Sequence, residues 1–274
     1  MVSHVLSDLI RRFTVRRSPG RGFEAVLWCA LLLLAAGMHF CRSRIDPLPS
    51  RDSEQYIRFA ESVAAASYRE VVESFPPDVL RAQPPLLLSA MVFGVRAGFP
   101  AERVGRALML LADLLLCAAL GMIARELWHD WRMTAAAMLL AAVFPICVKY
   151  PVQILRDPLY WCFVAWALCW ATRAAAGKRI WSNWFLAALC TALASLTRRE
   201  GLELLPVFAV WLCGFDWRRR GWQRILLVKV AVAVEVLAVL LLVLLPVERA
   251  MAERGSRWHA GQFSAIRYYG SRLW

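Results

Sequence analysis

Six side chains have the types and spacing to do chemistry: Asp52, Glu54, Arg156, Asp157, Arg198 and Arg199. They fall in three polar stretches between apolar runs, PSRDSEQYIRFAESV, KYPVQILRDPLYWCF and SLTRREGLELLP. A carboxylate such as Asp52 or Glu54 can take the proton of an attacking hydroxyl or amine, as general-base catalysis requires. Asp157 can orient that acceptor, assist proton transfer or hold a metal. Adjacent arginines suit a phosphate or diphosphate, because guanidinium binds phosphate through paired N–H groups. Each stretch also has a plainer reading. Asp52 or Ser53 can cap the helix that follows, Asp157 and Pro158 are ordinary helix-start residues, and Arg198 and Arg199 can reach for headgroups from a helix end. Spacing alone leaves both readings open.

The elements that must position these residues are membrane helices. The chain has 274 residues, is 60% hydrophobic and contains 13 Trp, well above the apolar share of soluble domains. Its net charge of +13 is nearly all arginine. The arginines lie between apolar runs, which favours anionic headgroups and a phosphorylated lipid over nucleic acid as partners. None of the eight cysteines forms a C-x-x-C pair or a metal-spaced cluster with histidine, so they read as helix-packing residues, and His4, His39, His129 and His259 form no pair. The basic then apolar N-terminus is expected to remain as a signal anchor.

Apolar runs predict spans at 23–40, 104–124, 133–148, 158–175, 182–197, 201–215 and 225–247. The run 85–99 is shorter, contains Arg96 and suits the interface, with Pro84 and Pro85 setting its entry angle. Short loops report orientation through their Lys and Arg. With 85–99 not crossing, nine basic residues (Arg125, Arg132, Arg173, Lys178, Arg179, Arg218, Arg219, Arg220 and Arg224) lie on the side of the basic N-terminus, against four (Lys149, Arg156, Arg198 and Arg199) opposite. The expected fold is therefore an all-α polytopic bundle of about seven transmembrane helices. Residues 1–22 form a cytoplasmic N-terminus, 23–247 the membrane module with an outer loop 41–103 carrying interfacial helices, and 248–274 a short tail. Asp113 and Glu235 fall inside spans, where an acid facing lipid costs a few kcal/mol.

The order of the motifs is more specific than any one of them. A first span, then RDSEQYIRFA, QPPLLLSAMVFGVRAGFPAERVGRALMLLADLLLCAALGMIARELW, AAAMLLAAVFPICVKYPVQILRDPLYWCF and ALASLTRREGLELLP resembles the GT-C membrane glycosyltransferases over residues 23 to 215. The likeness is to the branch containing protein O-mannosyltransferases and lipid A aminoarabinose transferases. It implies inverting transfer of a sugar from a polyprenyl-phosphate donor to a lipid, glycan or protein acceptor on the outer face of a bacterial-type inner membrane. Asp52 matches the family's catalytic acid, with Glu54 as the alternative. Asp157 matches the second acidic position, which orients the acceptor or, in relatives resembling the oligosaccharyltransferase catalytic subunit, helps hold a divalent metal. Arg198, with Arg199, matches the turn facing the lipid phosphate, and Arg156 is placed with them. The sequence itself indicates no cofactor.

Members of that family usually run well beyond this length, so the chain is expected to hold the shared seven-span unit. Two other readings remain. One is a short non-catalytic relative serving as a membrane subunit with a partner. The other is a transporter, for which Asp113 and Glu235 speak but no repeat between 23–148 and 158–247 does.

Overall fold

The computed structural model describes residues 20–45, 50–66, 84–176 and 178–208, with 230, 233–234 and 237–238 beyond them. The described residues are helical, with no strand among them. In chain order the helices are α1 (Arg21–Ile45), α2 (Arg51–Ala65), α3 (Pro85–Arg96), α4 (Ala101–Trp128), α5 (Trp131–Val143), α6 (Pro145–Lys149), α7 (Arg156–Ala175) and α8 (Ile180–Thr197). A 3₁₀ turn, Arg199–Glu203, follows α8.

Three of them are long and apolar enough to cross a membrane: Gly22–Ile45, Ala101–Trp128 and Ile180–Thr197. Leu33, Leu111 and Phe185 are exposed on their flanks, where hydrocarbon rather than water is the natural solvent. The continuous span expected at 133–148 needs correction. It is broken at Phe144, whose backbone is extended (φ −64°, ψ 126°), because the ring of Pro145 disfavours the α conformation in the residue before it. The resulting 13-residue α5 is about 20 Å long at 1.5 Å per residue, too short to cross alone. The expected span 201–215 begins as the 3₁₀ turn with helix at 204–208; its remainder, most of 225–247, and the tail 248–274 lie outside the described residues, as does nearly all of 1–22.

Contacts along α1 and α4 fix their relative direction. Glu24 pairs with Arg125 at 2.8 Å, Leu31 packs with Cys117, and His39 lies within electrostatic reach of Arg106. The two helices are antiparallel, so the C-terminus of α1 and the N-terminus of α4 lie at the same end of the bundle. Helix α3, at 12 residues, is shorter than a span. Helix α5 returns antiparallel to α4, with Cys117 Sγ donating to the Met138 carbonyl at 3.4 Å.

Helices α7 and α8 form the tightest pair. Their seam is alanine: Ala167, Ala171, Ala174, Ala187, Ala188 and Ala192 are all buried in one cluster with Trp184 and Phe208. Side chains this small let helix backbones approach closely, and close packing is what holds helices together where lipid removes the hydrophobic drive. The approach brings the first turn of α7 against the last turn of α8. Helix α2 is amphipathic and lays Tyr56, Phe59, Ala60 and Val63 on Leu87, Leu88 and Met91 of α3 and on Ala101, Met109 and Ile154. Ile154 lies two residues before the start of α7, so this cluster docks α2 beside that end of α7.

Candidate active site

At the end of the bundle where α7 begins and α8 stops, the Arg198 guanidinium is the hub. Its Nη1 pairs with the Asp157 carboxylate, and its Nη2 reaches Glu200 Oε1 at 3.2 Å. The guanidinium carbon sits 5.5 Å from the centre of the Tyr160 ring, within cation–π range. Its Nε is buried and has no hydrogen-bond acceptor among the described residues. A buried N–H without a partner is costly.

The turn after α8 exists because of Gly201. A Cβ there would lie 2.6 Å from the carbonyl carbon of Ala194 and 2.7 Å from the Ser195 Cα, so the chain can fold back over α8 only without a side chain. The capping bond from the Arg198 N–H to the Ala194 carbonyl, 2.8 Å, closes the helix at the same place. We expect Gly201→Ala to destabilise the protein by about 1–3 kcal/mol, the range for forcing extra atoms into a packed site. Thermal unfolding in detergent micelles reads this; an unchanged midpoint would show that the turn can relax.

The electrostatics follow from the contacts. Burial works against the Arg198 charge, but Glu200 and Asp157 outweigh it and hold its pKa above the ordinary value. Burial pushes the Glu200 carboxyl up, while a backbone N–H and Arg198, with Arg156 beyond, pull it below the usual carboxylate range. The Tyr56 phenol is raised, chiefly by burial. Arg156 opposes the shift, and Asp52, Asp157 and Arg198 also act on it. Through Tyr56 the structure therefore gathers Asp52 of α2, Arg156 and Asp157 of α7, and Arg198 of the turn into one neighbourhood.

The other sequence candidates sort by geometry. Asp52 is exposed on the face that leads to Tyr56, one turn on. Ser50, rather than Asp52 or Ser53, is the N-cap of α2, its side chain accepting from the Ser53 N–H at 3.3 Å; Asp52 is therefore not spent on capping. Glu54 lies about 200° around the helix from Asp52 at 3.6 residues per turn and pairs with Arg58 at 3.8 Å on the exposed side. Arg199 opens the 3₁₀ turn, and its side chain lies outside the described residues. We expect Glu54→Gln to keep transfer within about twofold of wild type, as surface pairs of this kind contribute little; a large loss in a steady-state assay would return Glu54 to the site.

Sequence reasoning assigned no role to Tyr160 or Glu203. The signal for Tyr160 was its place one turn after Arg156 and Asp157 on α7. Glu203, in the turn, is close enough to Tyr160 to influence it. Among the described residues no group of three His, Cys, Asp or Glu side chains gathers to hold a metal, and the Asp157 carboxylate faces a guanidinium, which competes with a cation for it. Asp113 is buried within α4, well along the helix from this end.

No curated protein and no solved structure is matched by the chain. One family is. The pattern of the dolichyl-phosphate-mannose-protein mannosyltransferases runs over residues 83–247, more than half of the chain and inclusive of Arg156, Asp157, Arg198 and the Gly201 turn. With its apolar helices it is an integral membrane protein of the GT-C glycosyltransferase type, and the chain belongs to the dolichyl-phosphate-mannose-protein mannosyltransferase family.

Proposed function

We propose that the protein transfers a sugar from a polyprenyl-phosphate-linked donor to an acceptor hydroxyl or amine, with inversion at the anomeric carbon. The site is the end of the bundle carrying Asp52, Asp157 and Arg198. The observation that carries this reading is Arg198 itself. It is oriented by two carboxylates and an aromatic face, with a buried Nε–H left for a phosphate oxygen.

The chemistry balances with the chain's own groups. The acceptor gives its proton to the Asp52 carboxylate and attacks the anomeric carbon. The bond from that carbon to the phosphate oxygen breaks on the opposite face, and its electron pair leaves with the polyprenyl phosphate. Arg198 and Arg156 stabilise the charge that develops there. Asp157 holds the Arg198 fork in place, and a single displacement inverts the configuration. Arg125, Arg132, Arg173 and Lys178, at the ends of α4, α5 and α7 and just before α8, lie at the other end of the bundle, and the short-loop rule then favours a site on the non-cytoplasmic side of a bacterial-type inner membrane. Residues 23–247 form the module that does this.

The test uses proteoliposomes supplied with polyprenyl-phosphate-linked mannose or aminoarabinose, or with the corresponding nucleotide sugar. Release of polyprenyl phosphate, with an anomeric configuration in the product opposite to the donor's, supports the reading. Turnover with nucleotide sugar alone, or retention of configuration, overturns it.

A further inference from the structure

The bundle has a second polar centre, at the opposite end from Arg198. Arg173 lies 16 residues beyond Asp157 on α7, about 24 Å along the axis at 1.5 Å per residue. Here Glu126 of α4 is nearly buried between Lys178, at 2.5 Å, and Arg173, at 3.8 Å. Glu24 of α1 meets Arg125 at 2.8 Å. Between these pairs lies a cavity of about 210 Å³, several waters in capacity. Glu24, Arg125, Glu126 and Lys178 line it with Trp28 and Trp131.

Three properties limit what fits. The walls present two carboxylates and two cations, so a ligand bearing one charge only would meet repulsion from half of them. The cavity is at the ends of apolar helices, where headgroups lie, and its two tryptophans are residues that favour that depth. Phe23 stacks edge-on against Trp131 at 5.5 Å, giving an apolar shoulder for an acyl chain. The Glu24–Arg125 pair is partly open to solvent, and ion pairs of that kind are weak enough to exchange partners; Glu126, nearly buried, keeps Arg173 beside it when Lys178, half exposed, turns to a ligand.

We propose that this cavity binds the phosphoethanolamine headgroup of a membrane phospholipid. The phosphate pairs with Arg125 and Lys178, and the ammonium donates to Glu24 and Glu126. The occupant ties α1, α4 and the α7–α8 hairpin together at this end. The assignment is independent of the transfer reaction and stands if that reading fails.

The experiment is thermal unfolding of the purified full chain in detergent, titrated with short-chain phosphatidylethanolamine, phosphatidylcholine or phosphatidylglycerol of matched acyl length, and with free phosphoethanolamine. Phosphatidylethanolamine is expected to protect at concentrations about tenfold or more below the other two lipids, because methylation removes the ammonium N–H donors and glycerol lacks the cation. Glu24→Gln is expected to abolish the discrimination while the unliganded protein melts near wild type. Equal protection by phosphatidylcholine, or discrimination intact in Glu24→Gln, overturns the headgroup assignment. Protection by phosphatidylglycerol alone would make the cavity an anion site and overturns it too. Free phosphoethanolamine acting as well as the lipid would overturn the lipid source.

Discussion

Arg198→Met is expected to lower sugar transfer by about two to three orders of magnitude, the loss seen when one preorganised donor to a developing charge is removed. Every contact made by this side chain points to that result. Asp157 and Glu200 fix the fork, Tyr160 covers its face, and Nε–H is left for the ligand. Arg198→Lys is expected to recover only a small part, since an ammonium keeps the charge but not the planar fork. Removing the guanidinium also leaves the Asp157 and Glu200 carboxylates without their shared cation, so a folding defect must be separated from a chemical one. The double variant Arg198→Met with Asp157→Asn relieves that repulsion. It should melt closer to wild type and stay inactive. If the double variant regained transfer, Arg198 would be a structural residue and the phosphate site would lie elsewhere.

Asp52→Asn is expected to reduce turnover by about two to four orders of magnitude, the usual contribution of a positioned general base. Asp157 and Glu200 are engaged by Arg198, and Glu54 faces away with Arg58. Asp52 is exposed beside Tyr56, and no hydrogen bond or ion pair holds its carboxylate among the described residues. A base must be able to receive a proton, and a carboxylate locked onto a guanidinium is poorly placed to do so. In Asp52→Ala, added formate should restore part of the rate, because a small carboxylate can occupy the space. Full activity in Asp52→Asn would remove it from the chemistry, and the absence of formate rescue would point to a positioning role.

Much of the arrangement was legible from residue order. The described parts of the three polar stretches, 50–63, 149–163 and 195–206, lie near one another around Tyr56. Alternation of apolar runs with arginine-rich loops already implied which helix ends face the same way, because burying an arginine in hydrocarbon costs more than any local preference can offset. The register from Glu24–Arg125 through His39–Arg106 sets α1 and α4 antiparallel. Pro145 is visible in the sequence too, but hydropathy averages over a window and does not register the limit one proline ring puts on the residue before it.

What sequence alone determined about this protein is its class: a helical membrane chain with acids and arginines gathered in three interhelical stretches. The physical reason is that hydropathy and charge act residue by residue, in a bilayer as in water. Which of those residues pair was decided only by tertiary structure. Asp157 and Arg198 are 41 positions apart, and nothing local distinguishes that pair from Arg156 with Arg199. The alanine seam of α7 and α8 sets their separation, and Gly201 lets the turn fold back against Ala194. The rotation of α2 on its apolar face separates Asp52 from Glu54, two residues apart in sequence and on opposite sides of the helix.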